Sequence, residues 1–218
     1  AKIVGGEVVV RRSTPNCKFV TLDGVERTLS SEDLVICNAK NPMCIAGVFG
    51  GEDSGVTETT TDIFLESAYF NPTSIRKTSK RHGLKTDASF RYERGVDPLN
   101  TMYAAKRAAM LITEVAGGCI VGEIQESYPK KFHELQVELN YARMESFIGK
   151  KIETQTIKDI LVSLDFYIRN ESETGCLVDV PSYRVDVTRE CDVVEEILRI
   201  YGYNNVEIGE KLVSTLSY

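Results

Sequence analysis

Arg81-His-Gly-Leu-Lys-Thr-Asp-Ala-Ser-Phe-Arg-Tyr-Glu-Arg-Gly-Val-Asp97 packs basic, polar and small residues between two helix signals, and the rest of the chain is best read outward from it. Upstream, Asn71-Pro72 is an N-cap followed by proline at the first helical position, and Gly83 closes that helix. Downstream, Asp97-Pro98 repeats the opening signal. It predicts a long amphipathic helix through Tyr103, Met110, Leu111 and Val115, stopped by Gly117-Gly118. Between the two, Asp87 is placed to cap a short turn from Ala88 to Glu93. The arginines and lysines could instead hold a phosphate or a ribose. His82 stands at a helix end, where the dipole favours it, and is not assigned as a base.

Charge is concentrated in the same stretch. From Arg76 to Arg94 there are seven basic and two acidic residues, a balance of +5; the whole chain is −6, so the remainder is −11. A basic island on an acidic chain fits one directed anionic contact, and equally a solvated helix face.

The first 70 residues read as strands and turns. Val8–Arg12 and Lys18–Leu22 are β-rich, with Asp23-Gly24 as a hairpin signal; Leu34–Cys37, Met43–Val48 and Asp62–Phe70 supply further strands. In the last of these, alternation puts Glu66 on the sheet face of Phe64. A strand at Ile120–Ile124 and Pro129-Lys-Lys131 lead out of this unit. A second unit begins near Glu134, with a strand at Leu135–Leu139, a short helix from Asn140 to Gly149 and a helix from Thr154 to Leu164. Two strands, Phe166–Arg169 and Cys176–Val180, follow, and then a helix from Thr188 to Tyr201. Three helices and a two-stranded wing resemble a winged-helix-like module. The predicted class is α+β, in two domains, 1–133 and 134–218.

Composition narrows the function classes. The 218 residues are 42% apolar and 27% charged, the balance of a soluble globular protein. No apolar run approaches the roughly 18 residues that span a bilayer. The N-terminus carries neither a signal peptide nor an initiator Met, so the chain is expected to be cut from something longer and to act in the cytoplasm. Cys17, Cys37, Cys44, Cys119, Cys176 and Cys191 form no C-x-x-C pair, and His82 and His133 sit in no zinc-like spacing. Buried free thiols are expected.

Three further constellations could carry chemistry. Ala46-Gly-Val-Phe-Gly-Gly-Glu-Asp-Ser-Gly55 holds four glycines that let backbone approach a ligand closely, or simply serve a tight strand crossing. It matches neither a P-loop nor a dinucleotide fingerprint. Glu66 lies among apolar neighbours; it either points to solvent or faces a pocket, where it needs a partner such as a phenolic hydroxyl. Asp192, Glu195 and Glu196 share a helix face, with Asp186 just before the helix. Four hard oxygens suit Mg²⁺, but acidic groups at a helix start also complement its dipole, and Glu195 could pair with Arg199.

Taken together, four of these stretches resemble one family. The glycine segment, Leu65-Glu-Ser-Ala68, the run from Arg81 to Pro98, and Asp192-Val-Val-Glu-Glu-Ile-Leu-Arg-Ile-Tyr-Gly-Tyr203 occur in this order in bacterial phenylalanyl-tRNA synthetase beta subunits. The resemblance covers essentially the whole chain. It implies a B3/B4 editing domain over residues 1–133 and a B5 domain from 134. The parent enzyme would charge tRNA(Phe) with phenylalanine using ATP and Mg²⁺, as an α2β2 heterotetramer whose synthetic site lies in alpha; ATP is not expected to bind this stretch. The editing domain would hydrolyse tRNA mischarged with tyrosine.

By that resemblance Glu66 matches the tyrosine-reading glutamate, Gly47 and Gly50 the glycine wall, and Thr86 and Ala88 the other side of the pocket. Hydrolysis would use a placed water, with no covalent catalyst. The family's pocket also takes a histidine from a segment that would precede Ala1. Asp186, Asp192, Glu195 and Glu196 match Mg²⁺ ligands, shared with alpha. Two other classes stay open: a non-catalytic module that binds tRNA and assembles with alpha, and a free-standing nucleic-acid-binding winged-helix protein. The acidic face at Asp192–Glu196 disfavours the latter, because it repels phosphates.

Overall fold

In the computed structural model, residues 3–207 are described, and the end of the second predicted domain lies outside them. The chain divides into two compact units, 1–127 and 128–218, six residues short of the sequence boundary.

Unit 1 is built on short antiparallel strands. β1 (Val9–Arg12), β4 (Leu34–Cys37), β5 (Pro42–Ile45) and β6 (Phe49–Gly50) form one sheet in the order β1-β4-β5-β6. β2 (Cys17–Val20) and β3 (Glu26–Leu29) pair separately, and their hairpin turns at Asp23-Gly24 as predicted, with Gly24 at a φ of 73°. α1 (Pro72–His82) starts at an Asn71 side chain that accepts from the Ser74 N–H and stops at a left-handed Gly83. Its inward stripe, Ile75, Thr78 and Ser79, meets a core of Phe19, Leu29, Val35, Ile45, Val48, Phe70 and Leu84.

The joint between α1 and the sheet is polar. Asp33, in the turn between β3 and β4, has a fully buried side chain. Its oxygens accept from Thr78 Oγ1 at 2.9 Å and the Ser30 N–H at 2.8 Å, and pair with Arg81 and with His82 Nε2 at 2.7 Å. Burial pushes the Asp33 carboxyl up, but the bonds from His82, Ser30 and Thr78 outweigh it and hold the group below the usual carboxylate value.

Unit 2 is a three-stranded antiparallel sheet in the order β7-β9-β8, formed by β7 (Leu135–Asn140), β8 (Tyr167–Arg169) and β9 (Gly175–Val180). α4 (Tyr141–Ile148), α5 (Thr154–Ser163) and α6 (Glu190–Tyr201) accompany it. Leu139, Met144, Ile157, Leu161, Val178, Val193 and Ile197 share one core. Each such burial stabilises the fold by roughly 1.5–3 kcal/mol before entropy is charged. The strands and helices were legible here, and antiparallel sheet with helices gives the α+β class in both units.

Five expectations need correction. Asp62–Phe70 forms no strand: it has no ladder partner among the described residues, and Ile63, Phe64 and Leu65 are exposed. β propensity expresses itself only against an edge able to accept it, and edge strand β6 is two residues long. Glu66 therefore shares no sheet face with Phe64. Ile120–Ile124 is likewise not a strand, with Val121 87% exposed. α2 (Asp87–Tyr92) is capped by Thr86, not Asp87: Thr86 Oγ1 accepts from the Ser89 N–H while Ser89 Oγ accepts from the Thr86 N–H. α3 (Thr101–Ala116) begins later than Asp97-Pro98, because Asp97 takes the Leu99 N–H and the Asn100 N–H into a turn of its own. Finally, the thiols are all free, but only Cys37 and Cys176 are buried; Cys119 and Cys191 are exposed.

Candidate functional site

The glycine segment folds as a hairpin that turns at 46–48 between β5 and β6, so Gly50 stands directly opposite Cys44. α2 is tied to that turn. Thr86 Oγ1 donates to the Val48 carbonyl at 2.5 Å while capping its own helix. One side chain thus fixes the start of α2 against the glycine segment, next to Gly47 in sequence.

Glu66 comes to the same place by a different route. Its segment is held by side chains: Tyr92 Oη donates to the Ala68 carbonyl at 3.2 Å, and Ser67 Oγ to the Thr101 carbonyl at 2.7 Å. Tyr92 also meets Phe70 edge-on, with ring centroids 5.0 Å apart. The Glu66 carboxylate lies within electrostatic range of Cys44 and Tyr92. Burial pushes the Cys44 thiol up to about 12, with the Glu66 charge adding to it, and the same two causes raise Tyr92.

Glu66 is itself raised, by burial alone; no hydrogen bond and no neighbouring charge contributes. Yet the residue as a whole is solvent-exposed. The carboxyl stands at an open surface within electrostatic range of Cys44 and Tyr92. Such a group lacks an internal partner and is reachable from outside.

The remaining predicted pocket residues divide. Ala88 is exposed and lies one helical turn before Tyr92, on the same face of α2. Gly50 reaches the group through its partner Cys44. The space beside Gly47 is taken by the core: a Cβ there would come within 2.7 Å of Phe70 and 3.0 Å of Ile75, at a φ of 65°. A Cβ at Gly50 would meet Leu22 at 2.9 Å. Both glycines let protein side chains approach the hairpin closely. Cys44 and Tyr92 were missed as neighbours of Glu66. Their signals were the hairpin register opposite Gly50 and the i+4 spacing from Ala88.

The second constellation is not brought together. Asp192 accepts from the Thr188 and Arg189 N–H groups at 3.0 and 2.9 Å and pairs with Arg189 Nη2 at 3.0 Å, so α6 starts at Glu190 and not at Thr188. Arg189 chiefly holds its carboxyl far below the usual range. Glu196, not Glu195, pairs with Arg199, at 2.7 Å, and also with Arg184 at 2.8 Å. The Arg199 bond, with the charge of Arg184, overcomes burial and lowers its pKa. Asp186 and Glu195 are exposed. Among the described residues no three His, Cys, Asp or Glu side chains are grouped to hold a metal. As they stand, these four carboxylates do not fit Mg²⁺, because two of them are already saturated by arginine and backbone donors.

Comparison with known proteins finds a separate family model within each unit. A family model for the B3/4 domain matches residues 1–117, and one for the tRNA synthetase B5 domain matches residues 137–203. The phenylalanine–tRNA ligase beta subunit of Bacteroides fragilis is 57% identical over 99% of this chain, and that of Porphyromonas gingivalis 50% identical over all of it. That of Carboxydothermus hydrogenoformans is 43% identical over 94%. The chain spans about a quarter of the length of these relatives, 26%, 27% and 25% respectively. An N-terminal fragment of the phenylalanyl-tRNA synthetase beta subunit from Pyrococcus horikoshii superposes over 92% of this chain and 58% of that one, at 14% identity and a TM-score of 0.46, too loose a match to carry an argument. With a B3/4 model over its first unit, a B5 model over its second and this level of identity throughout, the chain belongs to the phenylalanine–tRNA ligase beta-subunit family.

Proposed function

We propose that unit 1 is a proofreading site that hydrolyses tRNA(Phe) mischarged with tyrosine. The observation that carries this reading is the accessible Glu66 carboxylate, without a hydrogen-bond or ion-pair partner among the described residues, within electrostatic range of Tyr92 on α2 and of Cys44, which stands opposite Gly50. A synthetic pocket shaped for phenylalanine rejects an added hydroxyl by only about 10²-fold. A second site that hydrogen-bonds the hydroxyl discriminates by about 10⁴–10⁵, because phenylalanine leaves its polar group unpaired. Glu66 supplies the acceptor for the tyrosine phenol. Thr86 is a positioning residue that fixes α2 against the hairpin. The ester is cleaved by a bound water, and no side chain acts as a covalent nucleophile.

In the whole enzyme this activity accompanies ATP- and Mg²⁺-dependent charging of tRNA(Phe) in an α2β2 assembly in the cytoplasm. No step above passes through the metal. No helix among the described residues is long and apolar enough to cross a membrane.

The test is release of tyrosine from Tyr-tRNA(Phe), with Phe-tRNA(Phe) as the reference. Wild-type chain should release tyrosine above the spontaneous rate and prefer it over phenylalanine. Glu66→Ala should lower that preference by about 10²-fold or more while the chain stays folded. Equal loss on both substrates would make Glu66 structural. A folding carboxyl with a raised pKa also loses its acceptor charge early, so the preference should fade as pH drops towards values still above the ordinary glutamate range.

A second reading, a non-catalytic module that binds tRNA and assembles with alpha, is favoured by α3. That helix buries none of its residues, and Tyr103, Met110 and Val115 are exposed along it. Spontaneous-rate release by the wild-type chain would favour it.

A further inference from the structure

Among the described residues, most cations that carry an ion pair lie outside the basic stretch: Lys18, Arg27, Arg143, Lys158, Arg169, Arg184, Arg189 and Arg199 each hold a carboxylate. The stretch itself differs. Only Arg81 and Arg94 are paired there, Arg81 with Glu32 and Asp33 and Arg94 with Glu93. Arg76, Lys77, Lys80, Lys85 and Arg91 are exposed, and no ion pair forms on any of them among the described residues. Helical spacing gathers them. α1 turns Ile75, Thr78 and Ser79 inward, which leaves positions 76, 77 and 80 on one outward stripe. α2 packs against α1 and adds Arg91, with Lys85 in the connection. On an acidic protein, five cations on two adjoining helices and their connection, without ion pairs among the described residues, form a local positive field.

One feature narrows the partner to nucleic acid. Phe90, on α2 between Lys85 and Arg91, is 57% exposed, and the Arg94 guanidinium lies 3.5 Å from its ring centre. An exposed ring backed by a guanidinium and flanked by free cations is the combination that single-stranded nucleic acid uses, with bases stacking on the ring and phosphates on the cations. A protein partner carrying only carboxylates would use the charge and leave the ring idle.

We propose that the outward faces of α1 and α2 form a track for single-stranded RNA, with Lys77, Lys80 and Arg91 on phosphates and Phe90 as a stacking platform. This deepens the tRNA reading above by naming the surface, and it rests on that reading for the identity of the strand. Its test reads binding alone, so failure of the hydrolysis assay leaves it standing.

The experiment measures binding of a fluorescent unstructured RNA dodecamer to the full chain across a salt series. Lys77→Gln/Lys80→Gln/Arg91→Gln should reduce the slope of log affinity against log salt by about 2, the amount expected for three phosphate contacts on a single strand. Phe90→Ala should weaken binding roughly tenfold and leave that slope unchanged. Lys40→Gln/Lys130→Gln/Lys151→Gln removes the same charge from exposed positions elsewhere and serves as the control. Circular dichroism on each variant confirms folding. Equal losses for the two triple variants, or wild-type affinity in the α1–α2 variant, would overturn the proposal. An unaltered affinity for Phe90→Ala with a lowered slope would overturn its nucleic-acid part and leave a plain polyanion surface.

Discussion

Asp33→Ala is expected to destabilise unit 1 by about 3–5 kcal/mol, the range for removing one partner from a buried charged network. The carboxylate has no exposed surface and serves four donors: Ser30, Thr78, Arg81 and His82. Truncation leaves the buried Thr78 hydroxyl and the nearly buried His82 ring without their acceptor, and it separates the end of α1 from the β3–β4 turn. Glu32→Ala is the comparison, because Glu32 pairs with the same Arg81 from a side chain 60% exposed. That change should cost no more than about 1 kcal/mol. Urea unfolding followed by a probe in unit 1 measures both; similar midpoints for the two variants would show that the network carries no special weight.

The same network has a pH signature. Because the folded pKa of Asp33 is depressed, its contribution is present above the unfolded value of about 3.9 and is lost as pH falls through the folded value. Wild-type stability should therefore fall more steeply with acid below about pH 4 than that of Asp33→Asn. Parallel curves would contradict this.

Gly175→Ala carries the second large effect, in unit 2. Gly175 opens the central strand β9 opposite Asn140. A Cβ there would collide with the Leu139 carbonyl oxygen, and Asn140 Cα lies at 3.2 Å. The obstacle is backbone, so no rotamer change relieves it; β7 itself must move. Movement at Asn140 reaches two helices. Its side chain caps α4 by accepting from the Arg143 N–H, and its own N–H donates to Glu190 in the first turn of α6. The expected cost is about 3 kcal/mol, the upper part of the range for overpacking. Glu173→Ala, two residues away and exposed, should change stability by less than about 0.5 kcal/mol. Comparable melting midpoints for the two variants would show that β7 yields freely.

What could be read from sequence followed the range of the interactions. α1 was legible because Asn71-Pro72 and Gly83 are local devices, each completed within a few residues. The B5 unit was legible strand by strand because its turns and its apolar periodicity agree. The segment around Glu66 was misread as a strand because its β-rich composition is local, while the decision to pair depends on an edge elsewhere in the fold. The ion pairs of the carboxylates at 186–196 were not legible either. Helix spacing put three of them on one face, but Arg184, Arg189 and Arg199 take two of them, and the sequence gives no rule for which cation wins. Glu66 and Ala88 could be singled out through motif resemblance. That Cys44 and Tyr92 would be its neighbours depended on a hairpin register and a capped helix folding onto each other.

The run from Asp62 to Ser67 enters no backbone ladder and hangs between side-chain anchors at its far end. Among the described residues none of its amide N–H groups donates a backbone hydrogen bond. In a deuterium-exchange experiment they should label within the earliest time points, while those of α1 and β4 stay protected. On the proofreading proposal, Glu66 would adjust its position on such a segment at little free-energy cost, and slowed labelling on adding ligand would report the moment it is fixed.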